Sequence, residues 1–207
     1  MKLIIFGATG GTGRQLVKQA LEQGHDVTAC VRNPEKVDQT HEKLNVVQGD
    51  VLDITSVENA VEEHDVVLCS LGMPNIMDKS KLRTNGTKNI VHAMEKKGIK
   101  KLICQSSFGA GDSRNLLPFH YKYLIAPLFM KQLYEDHNAQ EDCIKSSHLE
   151  WVIVRPGILT DGEKTGVYQH GFTKPTTIKI SRADTADFML KQLTDSSYLY
   201  KTPCIAY

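Results

Sequence analysis

The run FGATGGTGRQL, residues 6–16, leaves few folds open to the chain that carries it. It follows directly on the apolar run LIIF and opens a segment whose Leu16, Val17, Ala20 and Leu21 share one helical face. Its glycines, Gly7, Gly10 and Gly13, are spaced GxxGxxG. In a strand-to-helix turn, Gly7 permits the sharp bend, Gly10 lets backbone approach a ligand, and Gly13 lets the helix pack closely on the strand. The first helical turn then offers unpaired N–H groups and a partial positive charge to a pyrophosphate, with Thr9 and Thr12 adding hydroxyls. The alternative is a tight turn that binds nothing; the position of the glycines between strand and helix favours a dinucleotide.

The rest of the chain repeats this strand and helix rhythm. Nearly continuous apolar runs at 3–6, 27–31, 44–47, 66–70, 102–105 and 151–154 read as strands covered on both faces of a parallel sheet. Helical periods lie between and after them, at Ile90, Val91 and Met94 and at Ala186, Met189, Leu190 and Leu193. The expected fold is a single α/β Rossmann domain spanning 1–207, a doubly wound, mainly parallel sheet with helices on both faces. Residues 108–130, FGAGDSRNLLPFHYKYLIAPLFM, break the rhythm and read as a substrate-side lid or wall, or as an arm packed on the body or on a second copy.

A net charge of +1 supplies no field for nucleic acid or acidic membrane, and the longest apolar runs, LIIF and VVLC among them, are far too short to span a bilayer. The N-terminus lacks the apolar core of a signal peptide, so a cytoplasmic protein is expected. Five cysteines, odd in number and widely spaced, read as buried reduced thiols, and neither they nor the eight histidines show metal-ligand spacing.

The second strand tests which dinucleotide is meant. A site selective for NAD ends this strand in an acid that holds the ribose hydroxyls, but TACVRNPEK ends it in Arg32. A guanidinium pairs with a 2′-phosphate in two-pronged fashion and stacks on adenine; Lys36 stands by as a second charge and Arg14 as a third. The expected cofactor is therefore NADP(H), the alternative being a solvated surface arginine. Asp50 and Val51, in GDVLD, are candidates to meet the adenine, Asp50 being otherwise a turn residue; Leu71 and Gly72, in SLG, pass beside the adenosine half.

The chemistry is less plainly written. Reductases of this build commonly use a tyrosine with a lysine four residues on, but that position holds Ile125 after Tyr121, Pro127 after Tyr123, Asn138 after Tyr134 and Phe172 after Tyr168. Ordinary ketone and alcohol chemistry is disfavoured. Ser106 or Ser107, ending the fifth strand, and His137, one turn before Glu141, remain as catalytic candidates; a histidine of ordinary pKa, about 6.5, can relay protons. Both have structural alternatives, as polar strand end and as core or surface histidine. Pro156, Gly157 and Ile158 can offer backbone to the nicotinamide carboxamide, and Arg155 is expected in a salt bridge.

The segments IIFGATGGTG, VTACVRNPEK, GDVLD, SLG, GTKNIVHAM, SSF, EDH and ADFMLKQLT, in this order, resemble the atypical short-chain dehydrogenase/reductase group that includes flavin reductase/biliverdin-IXβ reductase. The resemblance covers almost the whole chain and implies NADPH-dependent hydride transfer to a planar conjugated acceptor: a flavin, quinone or tetrapyrrole. It implies cofactor contacts at Gly7, Thr9, Gly10, Thr12, Gly13, Arg32, Lys36, Asp50, Val51, Leu71 and Gly72, with Ser106 and His137 at the pocket. Gly157 departs from it, standing where the tetrapyrrole reductases have a second histidine. A small planar molecule is the expected partner, the chain being a monomer or weak homodimer. The rival expectation is a dinucleotide-binding redox sensor without catalysis; a sugar-nucleotide epimerase is discounted for want of a substrate domain.

Replacing Arg32 by alanine is expected to raise the KM for NADPH about 10- to 100-fold, the worth of a lost charged hydrogen bond, while changing that for NADH little. Steady-state kinetics with both coenzymes check this, and equal changes would refute the assignment.

Overall fold

The computed structural model describes residues 1–72 and 80–207. The apolar runs become β1 (Lys2–Phe6), β2 (Asp26–Val31), β3 (Leu44–Gln48), β4 (Val66–Cys69), β5 (Lys101–Gln105) and β6 (Glu150–Pro156). Between them lie α1 (Gly11–Glu22) and α3 (Leu82–Lys97), which carry the periods read from sequence, together with α2 (Ile54–Val61), the short α4 (Ala126–Phe129) and α5 (Lys131–Lys145). Four strands of three residues follow or interleave: β7 (Ile158–Thr160), β8 (Gln169–Gly171), β9 (Lys179–Ser181) and β10 (Cys204–Ala206), with α6 (Arg182–Lys191) after β9.

The main sheet runs in the order β3-β2-β1-β4-β5-β6-β10-β8, parallel except for β8, which is antiparallel to β10. β7 and β9 form a separate parallel pair. On one face α1 and α6 press Leu16, Val17, Met189 and Leu190 against Leu3, Ile5 and Val152. On the other, α2, α3 and α5 press Val57, Ile90, Met94 and Ile144 against Ile4, Phe6 and Val67. The chain order reverses between β1 and β4, and the carboxyl ends of these strands open the crevice where doubly wound sheets take ligands. Among the described residues no helix is long and apolar enough to cross a membrane. All five cysteines are unpaired; Cys143 is half-buried and the other four are buried.

Two polar ties fix the helices that border the crevice. α3 starts after Lys81, held in the left-handed region at φ 51° with no side-chain cap of its own. Asp136 of α5 caps it instead, accepting from Thr84 N at 3.0 Å and Thr84 Oγ1 at 2.6 Å. The second tie joins α5 to β6. Arg155, buried and in the expected salt bridge, donates from Nε to Glu141 Oε1 at 2.9 Å and from its outer nitrogen to Oε2 at 2.6 Å, and reaches Asp112 Oδ1 at 2.6 Å.

Burial alone would raise the Glu141 pKa, but the hydrogen bonds and charge of Arg155, with Ser106 and Lys145, hold it below the usual carboxylate range. A depressed pKa contributes stability above the unfolded value, about 4.3, and that stability is lost as pH falls through the folded value. Glu141→Gln strands a buried guanidinium and is expected to cost about 3–5 kcal/mol at neutral pH. Urea melts should show the gap to the wild type narrowing as pH drops below about 4; a gap independent of pH would contradict the pairing.

Candidate functional site

The turn after β1 is built by close backbone contact. Gly7 sits at φ 81°, where a Cβ would lie 2.2 Å from Ser70 O at the end of β4. Its carbonyl accepts from Gly10 N at 2.9 Å, and a Cβ on Gly13 would lie 2.0 Å from the same oxygen. α1 is thus seated directly on the strand end. Gly10 precedes the helix with no side-chain cap, so among the described residues no side chain claims the first-turn N–H groups. That mouth is an anion site ready made.

The mouth opens into a cavity of about 740 Å³ that runs along the carboxyl ends of the strands. Of the predicted cofactor residues, Gly7, Thr9, Gly10, Thr12, Arg32, Val51, Leu71, Gly72, Pro156, Gly157 and Ile158 all line it, as do Ser106, Ser107 and His137. Arg32 is exposed there and, among the described residues, makes no ion pair. No carboxylate among the described residues lines the cavity. An open helix mouth, and among the described residues a guanidinium with no ion pair and no opposing acid, fit a dinucleotide.

Four predicted positions play other parts. Gly13, in the first turn of α1, has only the packing part its spacing suggested and does not line the cavity. Asp50 spends its carboxylate on Leu52 N at 2.9 Å, the turn role, so Val51 and Gly49 face the cavity in its place. Lys36 lies outside the lining. Arg14 donates to Thr9 O at 3.1 Å and Asp38 at 2.5 Å, bracing the glycine turn against the loop after β2.

At the sixth strand the backbone is already occupied. Pro156 O accepts from Phe108 N at 2.8 Å, Gly157 N donates to Ile205 O at 3.0 Å, and Ile158 N donates to Ile178 O at 2.6 Å. All three residues line the cavity, with both of the N–H groups at 157 and 158 engaged inside the fold. A Cβ on Gly157 would lie 2.4 Å from Ile178 O, which explains why a histidine does not stand here.

Ser106 and His137 meet deep in the cavity, but as a neutral pair. Ser106 Oγ donates to Glu141 Oε1 at 2.7 Å, so the serine proton points at a carboxylate paired with Arg155. His137 Nδ1 faces Ser106 Oγ at 3.5 Å and Gln140 Oε1 at 3.3 Å. Gln140 donates through its Nε2 to Thr87 Oγ1, so its Oε1 is an acceptor, and the ring proton belongs on His137 Nδ1. Nε2 is then a bare acceptor. Burial first, then the charge of Arg83, lowers the His137 pKa to about 3. The ordinary histidine pKa expected from sequence is therefore corrected: desolvation keeps this ring neutral.

Sequence reading missed two arginines. Arg182, at the start of α6, lies across Gly11, with its Cδ 2.4 Å from where a Cβ would stand, and pairs with Asp161 at 2.6 Å. Arg83, in the first turn of α3, is buried and also lines the cavity. The far end of the cavity is walled by Tyr121, Met130, Leu133 and Tyr134. Phe119, Leu124, Leu128 and Phe129 of the same region point outward and are exposed.

Fold and site together define a Rossmann protein of the dinucleotide-binding class. Residues 7–196 match the NAD(P)H-binding family model, and the chain belongs to that family. An uncharacterised chloroplastic protein of Arabidopsis thaliana is 34% identical over 176 residues, covering 80% of this chain; the chain spans 61% of that relative's length. The crystal structure of the oxidoreductase ylbE from Lactococcus lactis superimposes with a TM-score of 0.86 at 21% identity, covering 99% of this chain and 90% of that one. ChuY, described as an anaerobilin reductase from Escherichia coli O157:H7, does so with a TM-score of 0.82 at 22% identity, covering 99% and 96%. At these identities the two structures establish the shared fold.

With its pKa near 3, His137 is expected to stay in the neutral Nδ1–H form from about pH 5 to 8, with no titration of its ring nitrogens by NMR. A midpoint near the free-histidine value would overturn this arrangement of protons.

Proposed function

We propose that the protein is an NADPH-dependent reductase acting on a planar conjugated acceptor such as a flavin, quinone or tetrapyrrole. One observation carries the reading: a single cavity has a phosphate-ready helix mouth and Arg32, without an ion pair among the described residues, at one end, and an aromatic wall of Tyr121 and Tyr134 with Met130 and Leu133 at the other. When bound, the reduced dinucleotide supplies hydride. The glycine turn and Arg32 bind and orient it, and the apolar wall receives a flat ring and excludes water. His137 Nε2, a bare acceptor, can take a hydrogen bond from a ribose hydroxyl. A delocalised acceptor needs no strong acid beside it, which suits a site whose serine proton is committed to Glu141. The description of ChuY as an anaerobilin reductase and that of ylbE as an oxidoreductase agree with this class.

The same commitment of the serine proton, with a histidine that stays neutral, favours a second reading: a redox sensor that binds the dinucleotide without turning it over.

Mixing the protein with NADPH and FMN, FAD, biliverdin, quinones or dyes is expected to consume NADPH, seen as loss of nicotinamide absorbance, with at least one acceptor. Tight NADPH binding without turnover on any of them would replace the reductase by the sensor.

A further inference from the structure

Arg83 is a cation in an unusual position. It is 7% exposed, yet among the described residues its Nε has no hydrogen-bond partner. Its ion pair is a long one, 3.4 Å from an outer nitrogen to Asp136 Oδ2. Asp136 is meanwhile engaged elsewhere, capping α3 through Thr84 N and Thr84 Oγ1 on Oδ1, and through Arg83 N at 3.3 Å on Oδ2. Burial pulls the Arg83 pKa down even though Asp136 pushes it up. A guanidinium carries five donors in a rigid fork, and desolvating it with so little in return is costly unless an anion completes the set.

Its location says which anion. Arg32 and Arg182 flank the glycine turn, where the dinucleotide's phosphates belong. Arg83 lies instead beside His137, whose pKa its charge lowers, and is held by α5, the helix that carries Leu133 and Tyr134 of the apolar wall. No carboxylate among the described residues competes for it inside the cavity.

Building on the reductase reading, we infer that Arg83 anchors an anionic arm of the acceptor, a carboxylate or a phosphate, and so selects charged planar acceptors over neutral ones. The flat ring packs on the aromatic wall while the arm reaches the guanidinium fork. The Asp136 contact engages one outer nitrogen at 3.4 Å, leaves Nε without a partner among the described residues, and keeps the fork in place for it.

Matched acceptor pairs test this in the presence of saturating NADP+: FMN against riboflavin, by flavin fluorescence, and biliverdin against its dimethyl ester, by absorbance. The wild type should bind the charged member of at least one pair about 10-fold or more tightly, and the pair that shows the preference tells phosphate from carboxylate. Arg83→Met should bring that ratio to near one, and Arg83→Lys, which keeps a charge without the fork, should restore part of it. A merely structural tie between α3 and α5 would leave the ratio untouched in any variant that folds. Equal binding of both members by the wild type, binding of neither, or a preference that survives in Arg83→Met would overturn the inference. Where Arg83→Met does not fold, the wild-type ratio and its reduction in Arg83→Lys decide the matter. Failure to bind NADP+ at all would instead sink the reductase reading beneath it, and with it the inference.

Discussion

The contact of one carbonyl with one helix governs this molecule. Gly7 O accepts from Gly10 N and lies so near Gly13 that a single methyl group between them has no room. Because α1 sits down on the end of β1, its uncapped first turn points along the carboxyl edge of the sheet, at the place where strand order reverses. Gly7 also passes over Ser70 O, so the same turn abuts the end of β4. A side chain at Gly7 or Gly13 would lift the helix, and the dipole and N–H groups that make the mouth an anion site would no longer face the cavity.

A second dependency runs across the cavity floor. Arg155 fixes Glu141, Glu141 takes the proton of Ser106, and Ser106 stands as acceptor to His137 Nδ1. The chain is buried throughout, so removing any member leaves a neighbour unsatisfied in a place water does not easily reach. It sets protonation states as well as positions. The carboxylate stays ionised beside its guanidinium, and the histidine stays neutral next to Arg83. What looks in sequence like a catalytic serine and histidine is in space a device that holds a bare nitrogen in a fixed orientation.

The central strands and the helices between them were legible because their signals are local. Apolar runs without alternation mark strands covered on both faces, and the glycine turn between strand and helix marks the binding edge. The short strands β7 to β10 left no such mark: each has three residues, and β7 and β8 lie where side chains are mostly not buried. Their pairing is decided by partners far along the chain, as in Ile205 against Pro156. The site divided the same way. Gly7, Gly10, Arg32 and Val51 could be placed from spacing along their own strands. Lys36 and Asp50 could not, because turning one residue away from the cavity is a matter of loop geometry. Arg83 was illegible, since LRTNG reads as an ordinary helix start and its burial depends on Asp136, which lies on another helix.

The charges of the site divide its labour. A dinucleotide phosphate is satisfied by groups that water also reaches, and the structure puts an exposed Arg32 and a half-paired Arg182 at that end. Such cations cost little to keep, since solvent screens them when the site is empty of ligand. A buried arginine is different in kind. Its desolvation is felt throughout the folded state, with or without ligand, and must be recovered by some partner. Asp136 recovers part while serving mainly as the cap of α3. A helix cap needs only a carboxylate, and an apolar residue at position 83 would fill the same volume without the charge. The cation at this position makes sense when an anion enters the cavity beside the aromatic wall, which ties the cost of Arg83 to the acceptor rather than to the fold.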